Sequence, residues 1–247
     1  MATAHPAAAL AFPEARRLVE QHAASLQGSG PAPVPLRQSL GRVLAEDVAA
    51  DRDLPPFPRA TRDGYALRAA ALAQLPARLE VAGEIRAGAP ASEFARELQS
   101  GQAVEIMTGA PVPPGADAVV MLEYTRREGG GAVVVERSAA AGENIVPAGA
   151  EARRGQVVLK ARTRLGPAHM AVAAAVGVTQ IAVYRRPRVA ILATGDEIVE
   201  AGAQPGPSQI RNSNSYSLAA QVEAAGGEAV ILDIAPDQRQ PLRRLLA

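Results

Sequence analysis

The stretch Arg188–Val199, RVAILATGDEIV, predicts the architecture of the C-terminal part of this chain. Its first half, Val189–Leu192, is a short continuous apolar run, which is typical of a strand buried on both faces of a sheet. The turn that follows, Thr194–Glu197, places a hydroxyl, a glycine and two carboxylates at the carboxyl end of that strand. Ligands of open α/β sheets bind beyond the carboxyl ends of the strands. We therefore expect one wall of a binding site at Thr194–Glu197.

A helix and a second strand follow this turn. Apolar side chains recur at helical spacing through Ser213–Ala225, and the glycine pair at 226 and 227 ends the helix. Ala229–Leu232 is another short apolar run. Strand, polar loop, helix and strand together predict a βαβ unit, the repeating element of doubly wound α/β sheets.

Composition predicts a soluble protein and excludes several kinds of site. The chain has 247 residues, 48% of them hydrophobic, which is enough for more than one core. Because cysteine is absent, disulfides, thiolate metal sites and a cysteine nucleophile are excluded. The formal net charge of +1 gives no indication of a nucleic-acid partner or an anionic membrane surface. We recognise no signal peptide and no membrane-spanning run, so we expect a cytoplasmic location.

Helices and short strands are predicted before the βαβ unit. Pro13–Gln27 and Pro167–Gly177 have the apolar spacing of helices, whereas Gly28–Pro35 has the composition of a linker. From Leu79 to Glu136, short apolar runs alternate with Gly/Pro breakers, which predicts a small β-rich domain. Within it we expect Gly129–Gly131 to be a hairpin tip, because no helix follows it as in a phosphate-binding loop.

Asp51–Leu67, DRDLPPFPRATRDGYAL, predicts a stiff irregular loop. Prolines at 55, 56 and 58 prevent regular structure, and the pair Asp63 and Gly64 is a strong turn signal. Such a loop is a common way to hold a functional group, and a domain linker is the alternative interpretation. Downstream, the basic cluster of Arg185, Arg186 and Arg188 predicts a solvated linker more readily than an anion site.

Four segments carry a resemblance to a known family. They are Leu54–Ala66 (LPPFPRATRDGYA), Ile106–Met121 (IMTGAPVPPGADAVVM), Gly142–Gly155 (GENIVPAGAEARRG) and Val189–Tyr216 (VAILATGDEI through IRNSNSY). With these segments in this order, the chain resembles the MoeA-type molybdopterin molybdenumtransferases, whose eukaryotic relative is the gephyrin E domain. One segment alone is a weak signal, whereas all four in order are highly specific.

The resemblance implies an α/β plus β-rich, multidomain fold. The implied domains are a mixed α/β N-terminal or linker domain (1–60 and 142–184), an inserted β-rich domain (61–141) and the start of a doubly wound α/β molybdopterin-binding domain (185–247). The chain is expected to be an N-terminal portion, truncated inside that last domain. A homodimer that shares its site between the subunits is also implied.

The reaction implied by the resemblance is the insertion of molybdate into adenylylated molybdopterin with release of AMP. Mg²⁺ is the implied cofactor, and a molybdopterin adenylyltransferase is the implied functional partner; we expect neither nucleic acid nor membrane as partners. The chemistry suits carboxylates, because cleaving a phosphoanhydride beside a second anion requires a cation, and hard cations take oxygen ligands.

Matches to the family motifs also imply roles for individual residues. The implied catalytic residues are Asp63, Glu197 and Asp237. The implied metal ligands are Glu197, Asp63 and Glu151. The implied ligand-binding residues are Thr194, Gly195, Asp196, Ser213 and Asn214. Because the family's Asp-Gly-Tyr loop reaches the other subunit, Asp63 and Glu197 are expected to meet only in a dimer.

Other interpretations of these residues and of the whole chain stay open. Asp196 is also suited to capping its turn, and Ser213 and Asn214 are ordinary helix-capping residues. Arg59 and Arg62 stand where the family has small polar groups. The chain could also be a non-catalytic scaffold or dimerisation module, or an inactive fragment. A competence-damage-type nucleotide-processing enzyme is disfavoured, because that family does not share the Asp-Gly-Tyr loop and the inserted β domain.

Overall fold

The computed structural model describes residues 10–26, 30–90 and 96–245. Within these ranges the helices are α1 (Phe12–Ser25), α2 (Pro167–Ala175), α3 (Asn214–Ala225) and α4 (Arg239–Leu245). The strands are β1 (Pro31–Pro35), β2 (Val48–Ala49), β3 (Arg59–Ala60), β4 (Gly64–Leu67), β5 (Ala77–Ile85), β6 (Gln102–Ile106), β7 (Ala118–Met121), β8 (Thr125–Glu128), β9 (Ala132–Val135), β10 (Ile145–Val146), β11 (Val157–Leu159), β12 (Gln180–Tyr184), β13 (Arg188–Ile191), β14 (Ile198–Val199), β15 (Ile210–Arg211) and β16 (Glu228–Ile231). The mixed α/β and β-rich fold class is confirmed. No helix in these ranges is long and apolar enough to cross a membrane.

The chain divides into two compact units. The first comprises Met1–Glu46, Ala161–Ala171 and Thr179–Ala247, and the second comprises Asp47–Lys160 and Val172–Val178. The division into three domains stays a prediction.

A six-stranded sheet forms the centre of the second unit. Its strand order is β7-β4-β6-β5-β9-β8, with β5 and β6 parallel and all other neighbours antiparallel. Side chains alternate between two cores on the two faces of the sheet, as the period of a strand requires. On β4, for example, Tyr65 and Leu67 belong to one core and Ala66 to the other. The hairpin tip predicted at Gly129–Gly131 is confirmed between β8 and β9.

The prediction of an irregular loop through Leu67 is wrong for Arg59 and Ala60, which form β3, and for its last four residues. Residues 64–67 form β4, which pairs with β6 on one side and β7 on the other, and all four are buried. The prolines end at Pro58, so they do not prevent strand formation beyond it. Tyr65 is fully buried, and only Arg62 and Asp63 remain exposed at the turn before the strand.

The predicted βαβ unit is confirmed in the first unit, where β13 and β16 are parallel and α3 connects them. The expectation that the first strand is buried on both faces is wrong, because only Ile191 of β13 is buried and Val189 is 39% exposed. Among the described residues β13 has one strand neighbour, β16, and α3 is the helix that contacts both. One face of the strand therefore reaches solvent.

The linker predicted at Gly28–Pro35 is partly a strand. Pro31–Pro35 pairs antiparallel with β12, and residues 27–29, including the predicted end of α1, lie outside the described residues. The three prolines of β1 occupy its exposed positions, and Ala32 and Val34 lie half-buried between them. Proline has no N–H and is compatible with an edge strand, where alternate residues need no hydrogen bond to the neighbour.

Candidate functional site

The polar turn after β13 is joined to the segment after β16. Thr194 and Ala235 form a parallel bridge, and the Gly195 amide donates a 3.1 Å hydrogen bond to the Ala235 carbonyl. The Asp196 Oδ1 atom accepts a 3.2 Å hydrogen bond from the Asp237 amide. Four predicted site residues thus meet at the carboxyl ends of the two parallel strands, the edge at which α/β sheets bind ligands.

Glu197 lies directly over the backbone of this turn. A Cβ atom built on Gly195 would be 2.6 Å from Glu197 Oε2 and 2.9 Å from Oε1, so the absence of a side chain leaves room for the carboxylate. Gly195 also has a φ of +141°, which disfavours other residues. The exposed carboxylate of Glu197 therefore lies against the backbone of the turn at the strand end and faces solvent.

Asn212 caps the start of α3. Its buried side chain accepts a 3.2 Å hydrogen bond from the Ser215 amide through Oδ1. The Ser213 side chain makes no capping hydrogen bond, and Ser213 and Asn214 are exposed. The alternative interpretation of Ser213 and Asn214 as the helix caps is therefore wrong, because the cap is the buried Asn212. The polar side chains of Ser213 and Asn214 are left available to a ligand.

A cavity of about 290 Å³ opens between the strand end and the start of α3. Its lining comprises Ile191, Leu192, Ala193, Thr194, Ile198, Ile210, Arg211, Asn212, Ser213, Asn214, Ser215 and Leu218. Three predicted ligand-binding residues, Thr194, Ser213 and Asn214, belong to this lining, whereas Gly195 and Asp196 do not. Hydroxyl and amide groups beside a helix N-terminus suit an anion, and the aliphatic wall suits a flat organic ligand.

Replacing Asn212 with alanine is expected to destabilise α3 by about 1 kcal/mol, because the Ser215 amide loses its acceptor. Ser213→Ala is the matched control, since that side chain makes no capping bond. Amide hydrogen exchange along α3 measures the effect. Faster exchange in the Asn212 variant alone is the expected result, and equal exchange rates in both variants would show that Asn212 does not cap the helix.

Asp63 belongs to the other compact unit, at the turn before β4. Its Oδ1 atom accepts hydrogen bonds from the Thr108 amide at 2.7 Å and the Thr108 hydroxyl at 2.8 Å. The backbone bond first, and the hydroxyl bond second, hold the pKa of the Asp63 carboxyl below its usual range. Asp63 is therefore an exposed, oriented anion at neutral pH.

Glu151 forms an ion pair with Arg59, which belongs to the loop that departs from the family pattern. Arg59 Nη2 is 2.8 Å from Glu151 Oε1, and Arg59 is the half-buried partner. Arg62 donates to the carbonyl of its neighbour Thr61 at 3.3 Å. The carboxylate of Glu151 thus has a cation beside it already, and its role as a metal ligand stays a prediction.

Metal-ligating side chains do not cluster within the described residues. No group of three or more His, Asp or Glu side chains in these ranges could hold a metal ion. A cage built from three or more of these side chains is therefore absent from the described part of the chain. Mg²⁺ is often bound by one or two carboxylates together with substrate phosphates. The carboxylates at 196, 197 and 237 are compatible with that second mode.

Two residues that hold the site were not singled out from the sequence. Thr108 orients Asp63, and Asn212 caps α3 and lines the cavity. An asparagine just before a predicted helix is a capping signal, because its side chain can accept a hydrogen bond from the amide three residues later. Asn212 stands in this relation to Ser215. Thr108 lies in the segment Ile106–Met121 that carries part of the family resemblance, but no local pattern shows its contact with Asp63, which joins segments 45 residues apart.

Two models of known protein families match the chain. The profile described as "MoeA N-terminal region (domain I and II)" matches residues 10–177. The chain belongs to the MoeA family. A second profile, "Probable molybdopterin binding domain", matches residues 190–247, which include the polar turn, the cavity and α3 of this MoeA-family chain.

Several relatives of this MoeA-family chain have names and structures. It is 40% identical to the "Molybdopterin molybdenumtransferase" of Bacillus subtilis over 83% of the chain and 49% of the relative. It is 39% identical to the "Molybdopterin molybdenumtransferase 2" of Mycobacterium tuberculosis over 90% of the chain and 56% of the relative. A crystal structure of the molybdopterin biosynthesis MoeA protein from Pyrococcus horikoshii superimposes with a TM-score of 0.81 at 34% identity, covering 96% of this chain and 60% of that one. The chain thus spans about half the length of the curated relatives it matches.

Proposed function

We propose that this chain acts in molybdenum cofactor biosynthesis, by inserting molybdate into adenylylated molybdopterin with release of AMP. The observation that carries the proposal is the cavity at the carboxyl end of β13, inside the region that matches a molybdopterin-binding profile. The names of the relatives support the transfer of molybdenum to molybdopterin. We further propose that the protein is a cytoplasmic homodimer with the site shared between subunits, and that a molybdopterin adenylyltransferase supplies its substrate.

The residues around the cavity suit a substrate that carries phosphates. Ser213 and Asn214 would bind a phosphate group at the N-terminus of α3, where the backbone amides and the helix dipole favour negative charge. Thr194 would donate its hydroxyl from the opposite wall, and Leu218 would contact the organic part of the ligand. Gly195 and Asp196 would hold the turn that carries Glu197.

Three carboxylates would act on the reacting groups. Glu197 and Asp237 lie at the strand end, and Asp63 would come from the other subunit. Mg²⁺, when bound with the substrate phosphates, would neutralise the charge of the phosphoanhydride next to molybdate. The carboxylates of this chain would hold and orient that cation and keep a second anion at a productive distance.

Turnover tests the proposal. The chain is incubated with adenylylated molybdopterin and Mg²⁺, with and without molybdate, and AMP is measured. We expect AMP release that depends on molybdate and stops when the divalent cation is chelated. AMP release at the same rate without molybdate, or none with it, would contradict the proposal and favour a scaffold role.

A further inference from the structure

We propose that the first unit has a second anion-binding site, a cavity lined by Arg42, Arg164, Arg185 and Arg186 that binds a phosphate-type polyanion. The cavity has a volume of about 290 Å³. Its lining comprises Gly41, Arg42, Val43, Arg164, Tyr184, Arg185, Arg186, Pro187, Ala225 and Gly226. It shares no residue with the cavity at the end of β13, so it is a separate site and does not depend on the proposed function.

The charged side chains that line this cavity are all positive. All four ionisable side chains in it that carry charge at neutral pH are arginines, and it includes no carboxylate. The whole chain has a formal net charge of only +1, so a local excess of four positive charges is not a property of the surface in general. The cluster after β12, for which the sequence predicts a solvated linker, supplies Arg185 and Arg186 to this lining. The fold adds Arg42 and Arg164 from two other segments.

The neighbouring carboxylate does not neutralise the cluster. Glu228 follows the end of α3, and its Oε1 atom lies 3.5 Å from Nε of Arg188, which does not line the cavity. Among the described residues the structure gives Arg164, Arg185 and Arg186 no ion pair. The positive charges of the cavity are therefore left for a ligand to balance.

Arg42 is fixed at the wall of the cavity. Its Nη2 atom donates a 2.9 Å hydrogen bond to the Tyr184 carbonyl, and the residue is half-buried. Burial first, and the charge of Arg186 second, lower the pKa of the Arg42 guanidinium. The same repulsion between cations is relieved when an anion binds between them, which gives the ligand a favourable electrostatic free energy.

The side chains define the class of ligand. Guanidinium groups bind phosphate oxygens in a planar, two-pronged geometry, and they do so better than single amines. A cavity of this size is at the lower end of the range for small-molecule sites, which fits a diphosphate or the phosphate end of a nucleotide. The side chains of Val43, Tyr184 and Pro187 give the rest of the wall an apolar character.

The C-terminus of α3 offers a competing explanation for part of the cluster. Ala225 and Gly226 line the cavity, and cations near a helix C-terminus are stabilised by its dipole. Arg164 fits this explanation, because its Nη2 atom lies 3.9 Å from the position of a Cβ at Gly226. A purely structural role for the arginines predicts no ligand binding, so a binding measurement separates the two explanations.

Isothermal titration of the full chain, without divalent cations and at constant ionic strength, tests the proposal. Sodium diphosphate, ATP, inorganic phosphate and sulfate are the probes. We expect diphosphate and ATP to bind more tightly than sulfate, with an affinity that falls as salt is added. Tighter binding of ATP would identify a nucleotide as the source of the phosphates, and tighter binding of diphosphate would identify the free anion.

Two variants and one control locate the binding. The double variant Arg164→Ala/Arg186→Ala and the single variant Arg185→Ala change exposed side chains, and each is expected to weaken binding by about tenfold or more. Arg188→Ala removes the same charge from the same segment outside the cavity and is expected to change affinity by less than about threefold. No binding to the wild-type chain, equal binding of sulfate, or equal losses in all variants would overturn the proposal.

Discussion

Gly64→Ala is expected to destabilise the six-stranded sheet strongly. A Cβ atom at this position would lie 1.9 Å from the Val120 carbonyl oxygen and 2.8 Å from its carbon, and both are backbone atoms of β7. A flexible side chain could move away, but the backbone of a paired strand cannot move without breaking its hydrogen bonds. Because β4 lies between β6 and β7, separating it from β7 also opens both cores.

The expected loss of unfolding free energy exceeds about 3 kcal/mol, above the usual cost of overpacking, because no side-chain rearrangement relieves the clash. Urea unfolding followed by circular dichroism measures it. Gly129→Ala is the matched control, since a Cβ there meets nothing within 4 Å and the residue lies at the tip of a hairpin in the same sheet. A Gly64 variant as stable as the control would mean that β4 and β7 are not paired as described.

Asp63→Asn and Glu197→Gln are each expected to reduce molybdate-dependent AMP release by about 100-fold or more, the scale seen when a group that stabilises transition-state charge is removed. Both substitutions remove a negative charge and keep the side-chain shape. In Asp63→Asn the amide oxygen of the new side chain would still accept the hydrogen bond from the Thr108 amide, so the turn before β4 would stay in place. The loss would therefore come from the missing negative charge that holds the cation next to the substrate phosphates.

Two other exposed carboxylates provide controls for this experiment. Asp117 accepts a 2.6 Å hydrogen bond from the Ala69 amide, so Asp117→Asn reproduces the change at Asp63 in the same compact unit. Glu200 follows the same turn as Glu197, and Glu200→Gln reproduces the change at that position. Both controls are expected to keep turnover near that of the wild-type chain. If the two site variants also kept it, these carboxylates would have no catalytic role.

Local patterns predict much of the fold. The strand β9 (Ala132–Val135) lies in the region from Leu79 to Glu136 where short strands are predicted, because a short apolar run between breakers specifies a buried strand directly. The strand β8 has the sequence TRRE and no apolar signal; it forms because β9 offers it a partner across the Gly129–Gly131 turn. The strand β4 was missed for a related reason, since prolines at the start of its segment dominated the interpretation.

The sequence predicts those parts of the candidate site that follow from the order and direction of the strands. The meeting of Thr194, Asp196 and Asp237 follows from two parallel strands whose carboxyl ends lie at one edge. The pair between Arg59 and Glu151 and the bonds from Thr108 to Asp63 were not predictable. They depend on the packing of segments distant in sequence, which no local pattern records.

In the proposed function, the cavity between the end of β13 and the start of α3 holds the molybdopterin ligand. The most direct measurement is the change in amide chemical shifts of the ¹⁵N-labelled wild-type chain on addition of adenylylated molybdopterin. We expect shifts concentrated at Thr194–Glu197 and at residues 212–215, with the hairpin tip at Gly129–Gly131 unchanged. Saturable binding that leaves the amide shifts of Thr194–Glu197 and of residues 212–215 unchanged would contradict binding in this cavity.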